Sequence, residues 1–211
     1  MIEYKEITIK SDKKYFYTNG LVSFINKEIR LSIGKYGEDE YVSVIKYIID
    51  YIVTESPSIS EDQTIAYYSW VLQFKSENES YYDLYEVEFD GEGFHKGCDL
   101  SISIIKSQSE LCFQYGVVPQ FPSFSQSIVI SKGVYEGKDI EAIRYESPQD
   151  MCGWWLITDD YDNNIQSLMT VHYYHVAFKR PDILKYLAVP FGYRFLMENG
   201  EVKITKDEEG E

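Results

Sequence analysis

The chain has 211 residues, 44% of them hydrophobic, which is enough for a buried core in one large or two small domains and too much for a disordered chain. Its 35 acidic residues against 20 basic ones leave a net charge of −15, a field that repels nucleic acid and anionic membranes, favours a basic partner and also keeps a protein soluble. No apolar run approaches a membrane span, the polar start Met1-Ile2-Glu3-Tyr4-Lys5 is unlike a signal peptide, and three cysteines without a Cys-x-x-Cys pair fit a reduced, cytoplasmic setting.

The N-terminal half reads as strands around one long helix. Residues 2–9 alternate loosely, Tyr15-Phe16-Tyr17 follows as a short aromatic strand, and Thr18-Asn19-Gly20 is a turn. Residues 28–33 alternate polar and apolar, the period of a half-buried strand, before Gly34 and Gly37 break the chain. Tyr41, Val44, Ile45, Ile48, Ile49 and Ile52 then form a single stripe at helical spacing. Glu38, Asp39 and Glu40 suit the positive end of that helix, and Pro57 ends it. Residues 64–74 and 81–89 read as two long strands joined through Glu77-Asn78-Glu79-Ser80, and 101–105 and 111–118 as two more. Pro119, Pro122 and a Ser-rich stretch over 123–127 mark a boundary.

In the second half, 127–130 and 140–145 are strands around a turn at 133–138, and 153–158 is the next. Period two puts Trp154 and Leu156 on one face of that strand, Trp155 and Ile157 on the other. After the acidic turn Asp159-Asp160-Tyr161-Asp162-Asn163-Asn164, the spacing of Ile165, Leu168, Met169, His172 and Val176 predicts a helix. Asp182 opens a second short helix that turns Ile183, Leu184 and Leu187 inward. Pro190-Phe191-Gly192-Tyr193-Arg194-Phe195 makes a tight turn and a last strand. The fold class is α+β: largely antiparallel sheets, a long packing helix in the N-terminal half and two short helices near the C-terminus. The expected division is an N-terminal domain over 1–120, a C-terminal domain over 126–205 and a charged, frayed tail over 206–211.

Few groups point to chemistry. His172 and His175 lie three apart near the acidic turn but lack a third ligand, so no metal or other cofactor is expected. Cys152 with His95 or His172 would make a nucleophile pair, against the simpler reading of a small apolar thiol in a strand. Carboxylates are too numerous to select a catalytic pair, and Gly91-x-Gly93 is too short for a phosphate loop. Most of the 20 tyrosines fit sheet packing, but two aromatics stand apart. Trp155 lies opposite Trp154 on its strand, and Tyr161 sits among Asp159, Asp160 and Asp162, where burial is costly. These five residues, Trp155 and 159–162, are the candidate protein-binding site.

The order Ile130-Ser131-Lys132, Arg144-Tyr145-Glu146, Gly153-Trp154, the acidic turn, Pro181-Asp182-Ile183, Tyr186-Leu187 and Pro190-x-Gly192-x-x-Phe195 resembles an immunity-protein domain of bacterial polymorphic toxin systems, long known only as a domain of unknown function. The resemblance covers residues 126–200 and departs where Met151-Cys152 stands in place of an expected Asp-Ser. Thr18-Asn19-Gly20-Leu21 leading to Glu28-Ile29 gives the N-terminal half a fainter likeness to suppressor-of-fused modules found in other immunity proteins. The resemblance implies a cytoplasmic, non-enzymatic inhibitor that covers the active or substrate-binding site of a cognate toxin, and it places Trp154 in the core. The acidity suits a basic toxin such as a nuclease. A glycan- or small-molecule-binding module would instead need a concave aromatic pocket, and a hydrolase a cleft with convergent titratable groups.

Overall fold

The computed structural model describes residues 1–207. The chain forms two compact units, Met1–Ser103 and the residues from Ile104 onward, and the Pro- and Ser-rich stretch 119–127 lies inside the second. Each unit has its own mixed sheet, so the α+β class holds. No helix among the described residues is long and apolar enough to cross a membrane.

The first unit orders its strands β1 (Ile2–Tyr4), β2 (Ile7–Ser11), β3 (Tyr15–Asn19), β4 (Glu28–Ser32), β5 (Thr64–Tyr67), β6 (Trp70–Lys75), β7 (Tyr81–Val87) and β8 (Phe94–Lys96) as β1-β2-β3-β4-β7-β6-β5, with β8 paired to β7. A single-turn helix α1 (Val22–Ile25) precedes β4, and the long helix α2 (Glu38–Glu55) lies against β2, β3 and β4. All six stripe residues of α2 are fully buried, each supplying roughly 1.5–3 kcal/mol of apolar burial. Two expected strands are in fact hairpins. Residues 2–9 fold back at Lys5 and Glu6, and 64–74 at Tyr68 and Ser69, so that Tyr4 pairs with Ile7 and Tyr67 with Trp70.

The strands expected over 101–105 and 111–118 are also corrected: Asp99–Gln114 is one helix, α3, and it spans the division between the units. Ser101, Ile104, Gln108 and Cys112 form its buried line, a spacing of three and four that the run of β-branched residues disguises. Its first turn is held by Glu86, a fully buried carboxylate that accepts from Leu100 N (2.8 Å), Ser101 N (2.6 Å) and Ser101 Oγ (2.8 Å) and contacts His95 Nε2 at 2.9 Å. That cap satisfies donors left unpaired by the helix, from a residue distant in sequence.

The second unit contains β9 (Ser127–Ile130), β10 (Ile140–Arg144), β11 (Met151–Ile157), β12 (Met169–His172), β13 (Tyr193–Glu198) and β14 (Glu201–Lys206) in the order β12-β9-β11-β10-β13-β14. Only β9 and β11 run parallel. The helix expected from Ile165 to Val176 is broken into three pieces: a 3-10 turn (Ile165–Ser167), the edge strand β12, and a shorter helix α4 (Tyr173–Lys179). The unpaired edge of β9 claims Met169–His172 as a strand before the helix begins. Pro181–Tyr186 is a 3-10 turn. β14 lies beyond the last expected strand, so Lys206 ends a strand and Asp207 is buried against Arg194; the remainder of the expected tail, 208–211, lies outside the described residues.

One face of this sheet carries the core. Trp154 and Leu156 are fully buried with Ala142, Phe195, Val176 and Leu187. The Trp154 indole donates to Leu187 O at 2.8 Å and tilts against the Phe195 ring, with centroids 5.2 Å apart. Arg144 is buried beside them, with no carboxylate partner among the described residues. Its guanidinium donates to four backbone carbonyls, those of Cys152 (2.9 Å), Gln120 (2.7 Å), Leu187 (3.3 Å) and Val189 (2.6 Å). Burial lowers its pKa to about 10, still well above neutrality, so the carbonyls meet a cation. Gly153 makes this arrangement possible: φ is +84°, and a Cβ there would stand 2.2 Å from Tyr145 O. The irregular register of β11 against β9 falls in this stretch, and beyond it Trp154 points inward and Trp155 outward.

Candidate functional site

The five candidate residues occupy the end of β11 and the turn that follows it. Trp155 is half-buried, and its ring meets the exposed Tyr145 edge-on at 6.3 Å and 85°. It belongs to the face of the sheet opposite the core, together with Ile143 beside it on β10 and Ile157 two residues on. That face is open: Leu196 is 45% exposed, and Glu141, Lys203 and Thr205 are exposed around it.

The turn is fixed by short-range hydrogen bonds. Thr158 is buried, donates its N–H to Ser131 Oγ (2.9 Å) and donates its hydroxyl to Lys132 O. Tyr161 N returns to Thr158 O at 3.1 Å, closing the turn and leaving Tyr161 half-buried. Asp159 and Asp160 lie on either side of Lys138, whose Nζ stands 3.1 Å from Asp159 Oδ1 and 2.6 Å from Asp160 Oδ1. The Lys138 hydrogen bond holds the Asp160 carboxyl below its ordinary range, and Asp160 first, then Asp159, raises the pKa of Lys138. Asp162 turns the other way, accepting from Ser167 Oγ (2.8 Å) and Asn164 N (3.0 Å), which lower its pKa in that order. The lowered pKa values favour the charged forms of Asp160 and Asp162, and Lys138 offsets part of the negative charge of the turn.

The structure thus brings Trp155 and Asp159–Asp162 to one end of one unit, on a rigid strand and an ordered turn. Sequence reasoning missed Lys138, which arrives from the turn before β10, and the apolar residues Ile143 and Leu196, which share the Trp155 face. The alternation of Ile140, Ala142 and Arg144 inward with Glu141 and Ile143 outward is the signal that could have found part of it. The other candidates for chemistry lie elsewhere. His172 Nδ1 meets Ser125 O at 3.1 Å and its ring stacks on Tyr174, and among the described residues no group of three or more His, Cys, Asp or Glu side chains is placed to hold a metal ion. Cys152 is buried, and burial raises its thiol pKa.

A family model, the Imm33-like domain, an immunity-protein family, matches residues 107–207. The match takes in every strand of the second sheet and the acidic turn. It does not extend over the first sheet, where the suppressor-of-fused likeness stays a resemblance of sequence. No curated protein and no solved structure matches the chain.

Proposed function

We propose that this chain is an immunity protein that binds one cognate bacterial toxin in the cytoplasm and neutralises it by covering its active site or substrate-binding face. The observation that carries the reading is that the Imm33-like match falls on the unit whose sheet has one covered and one open face. The contact surface is Trp155 with Asp159, Asp160, Tyr161 and Asp162. The aromatic supplies apolar area, and the carboxylates, already oriented by Lys138, Ser167 and Asn164, need little ordering when a partner arrives. The net charge of −15 favours a basic toxin, a nuclease being one such, by speeding encounter. Inhibition on this reading is occlusion, and no bond is made or broken by the chain.

The test is co-expression in bacteria with candidate toxins of polymorphic toxin systems, followed by association kinetics with the one that the chain neutralises. Replacing Asp159, Asp160 and Asp162 together by Asn, Asn and Ser slows association and reduces its dependence on salt. Unchanged rates with an intact fold would place the contact elsewhere, and lack of protection by the natural chain would end the immunity reading.

A further inference from the structure

The first unit has an open face of its own, and its charge runs against that of the chain. Residues 1–37, everything before α2, carry seven basic and four acidic side chains, whereas the whole chain is net −15. Alternation sends Phe16, Ile29 and Leu31 into the core and leaves Tyr15, Tyr17 and Arg30 half-buried on the other face. Register sets Lys10, Tyr17, Arg30, Asp83 and Lys75 side by side in one row across β2, β3, β4, β7 and β6.

The middle of this face is fixed and internally neutral. Asp83 is fully buried; it accepts two hydrogen bonds from Arg30, of 2.7 and 2.8 Å, and meets Lys96 at 3.1 Å. Lys96 is also paired with Glu77. The Arg30 guanidinium lies 4.7 Å from the centre of the Tyr15 ring and 5.2 Å from that of Tyr81, and Lys96 Nζ lies 5.7 Å from Tyr15 and 6.0 Å from Tyr85. Rings held by cations lose little freedom when a partner arrives.

The excess positive charge sits at one end of the face. The turn between β2 and β3 carries Lys13 and Lys14, both exposed, and Lys10 stands opposite Tyr17. None of these three lysines has an ion-pair partner among the described residues, because the nearby carboxylates are engaged elsewhere. Glu3 accepts from Thr8 Oγ1, and Glu28 from Thr18 Oγ1 and the N–H groups of Gly20, Leu21 and Val22. Asp12 accepts from the N–H groups of Lys14 (2.7 Å) and Tyr15 (2.9 Å). Those two bonds, and behind them the charges of Lys14 and Arg30, hold its carboxyl below the ordinary range, so the turn borders the aromatic row. The hydroxyls of Tyr15, Tyr17 and Tyr81 have no hydrogen-bond partner among the described residues either. Ammonium and hydroxyl donors beside aromatic edges, which carry partial positive charge, suit carboxylates. They suit nucleic acid less well, since cations already lie over the rings on which bases would stack and the field of the whole chain repels a polyphosphate.

We propose that this face docks an acidic segment of a partner protein, with its carboxylates on Lys10, Lys13 and Lys14 and its apolar groups along Tyr15 and Tyr17. The proposal concerns the first unit and stands apart from the immunity reading, which rests on the second.

Amide NMR of the full chain tests it, with three probes: a glutamate-rich decapeptide bearing one central phenylalanine, its lysine-rich counterpart, and a thymidine decanucleotide. The acidic peptide shifts the amides of Tyr15, Tyr17 and the Lys13-Lys14 turn saturably, and more weakly as salt is raised, while the other two probes leave them in place. Lys10→Gln with Lys13→Gln and Lys14→Gln weakens the acidic peptide about tenfold, and the amides of the buried Ile9, Phe16 and Ile29 keep their positions in that variant. Equal shifts with the lysine-rich peptide, no saturable response to the acidic one, shifts centred on the second unit, or full affinity in the triple variant would each overturn the proposal. Saturable binding of the oligonucleotide at the same amides would overturn it in favour of nucleic acid.

Discussion

Two adjacent tryptophans on opposite faces of β11 offer the sharpest test of the fold. Trp154 has no exposed surface, packs on Phe195 and gives its indole N–H to Leu187 O at 2.8 Å, and the Arg144 guanidinium lies 5.7 Å from its ring centre. Truncation to alanine removes the whole ring from a packed interior, about 3–5 kcal/mol for a buried aromatic. The hydrogen bond adds little, about 1 kcal/mol, because Leu187 O keeps Arg144 as a donor at 3.3 Å. We therefore expect Trp154→Ala to lose about 4–5 kcal/mol. Trp155→Ala, on the open face, should lose no more than about 1.5 kcal/mol. Because the chain has two units, the readout must report on the second one, and hydrogen exchange of the β10 and β11 amides along a denaturant series does so. A loss below about 1 kcal/mol for Trp154→Ala, or equal losses for both variants, would refute the assignment of faces.

Arg144→Met removes a donor from four backbone carbonyls, of which Leu187 O keeps Trp154, and should lose about 3–5 kcal/mol by the same exchange measurement, with Arg144→Lys failing to rescue because one ammonium with three N–H groups cannot serve all four carbonyls. In the first unit, Glu86→Ala uncaps α3 and leaves buried N–H groups unpaired, a loss of about 2–3 kcal/mol seen as early exchange at Leu100 and Ser101; exchange there at the natural rate would show that the cap is dispensable. The Arg180 guanidinium, bidentate on Asp182 at 2.9 and 2.8 Å, holds that carboxyl below its ordinary value of 3.8. Its contribution is therefore complete above that value and is lost as pH falls through the lower folded-state pKa, so Asp182→Asn should reduce stability near neutrality and flatten the acid limb of melting temperature against pH below about pH 4. An acid limb of unchanged slope would mean that the pair contributes nothing.

What could be read from the chain beforehand follows from where the deciding forces sit. The stripe of α2 and the opposed faces of β11 are local patterns, and both were legible. The hairpins at Lys5-Glu6 and Tyr68-Ser69 were not, because they take positive φ without glycine or asparagine: 47° and 64° in the first, 51° at Tyr68 in the second. Their turn geometry is imposed by strand pairing on both sides. α3 escaped for a related reason, since its Ser- and Ile-rich sequence favours strands and its cap comes from Glu86 on β7. The stretch from Ile165 to Val176 satisfies a helical spacing yet pairs in part with β9, as long-range backbone bonding outweighs periodicity. The acidic turn was visible as a turn, whereas Lys138 and Leu196 join it only through the strand order β11-β10-β13.

Cys98, Cys112 and Cys152 are each buried, and burial raises every one of their pKa values. Thiol reagents act on exposed thiolate, so the natural chain offers a maleimide no ready target. A cysteine introduced at Asp159 or at Glu201 would be labelled ahead of the native three, and a dye could follow a partner's arrival at either end of the open face without any change to the interior.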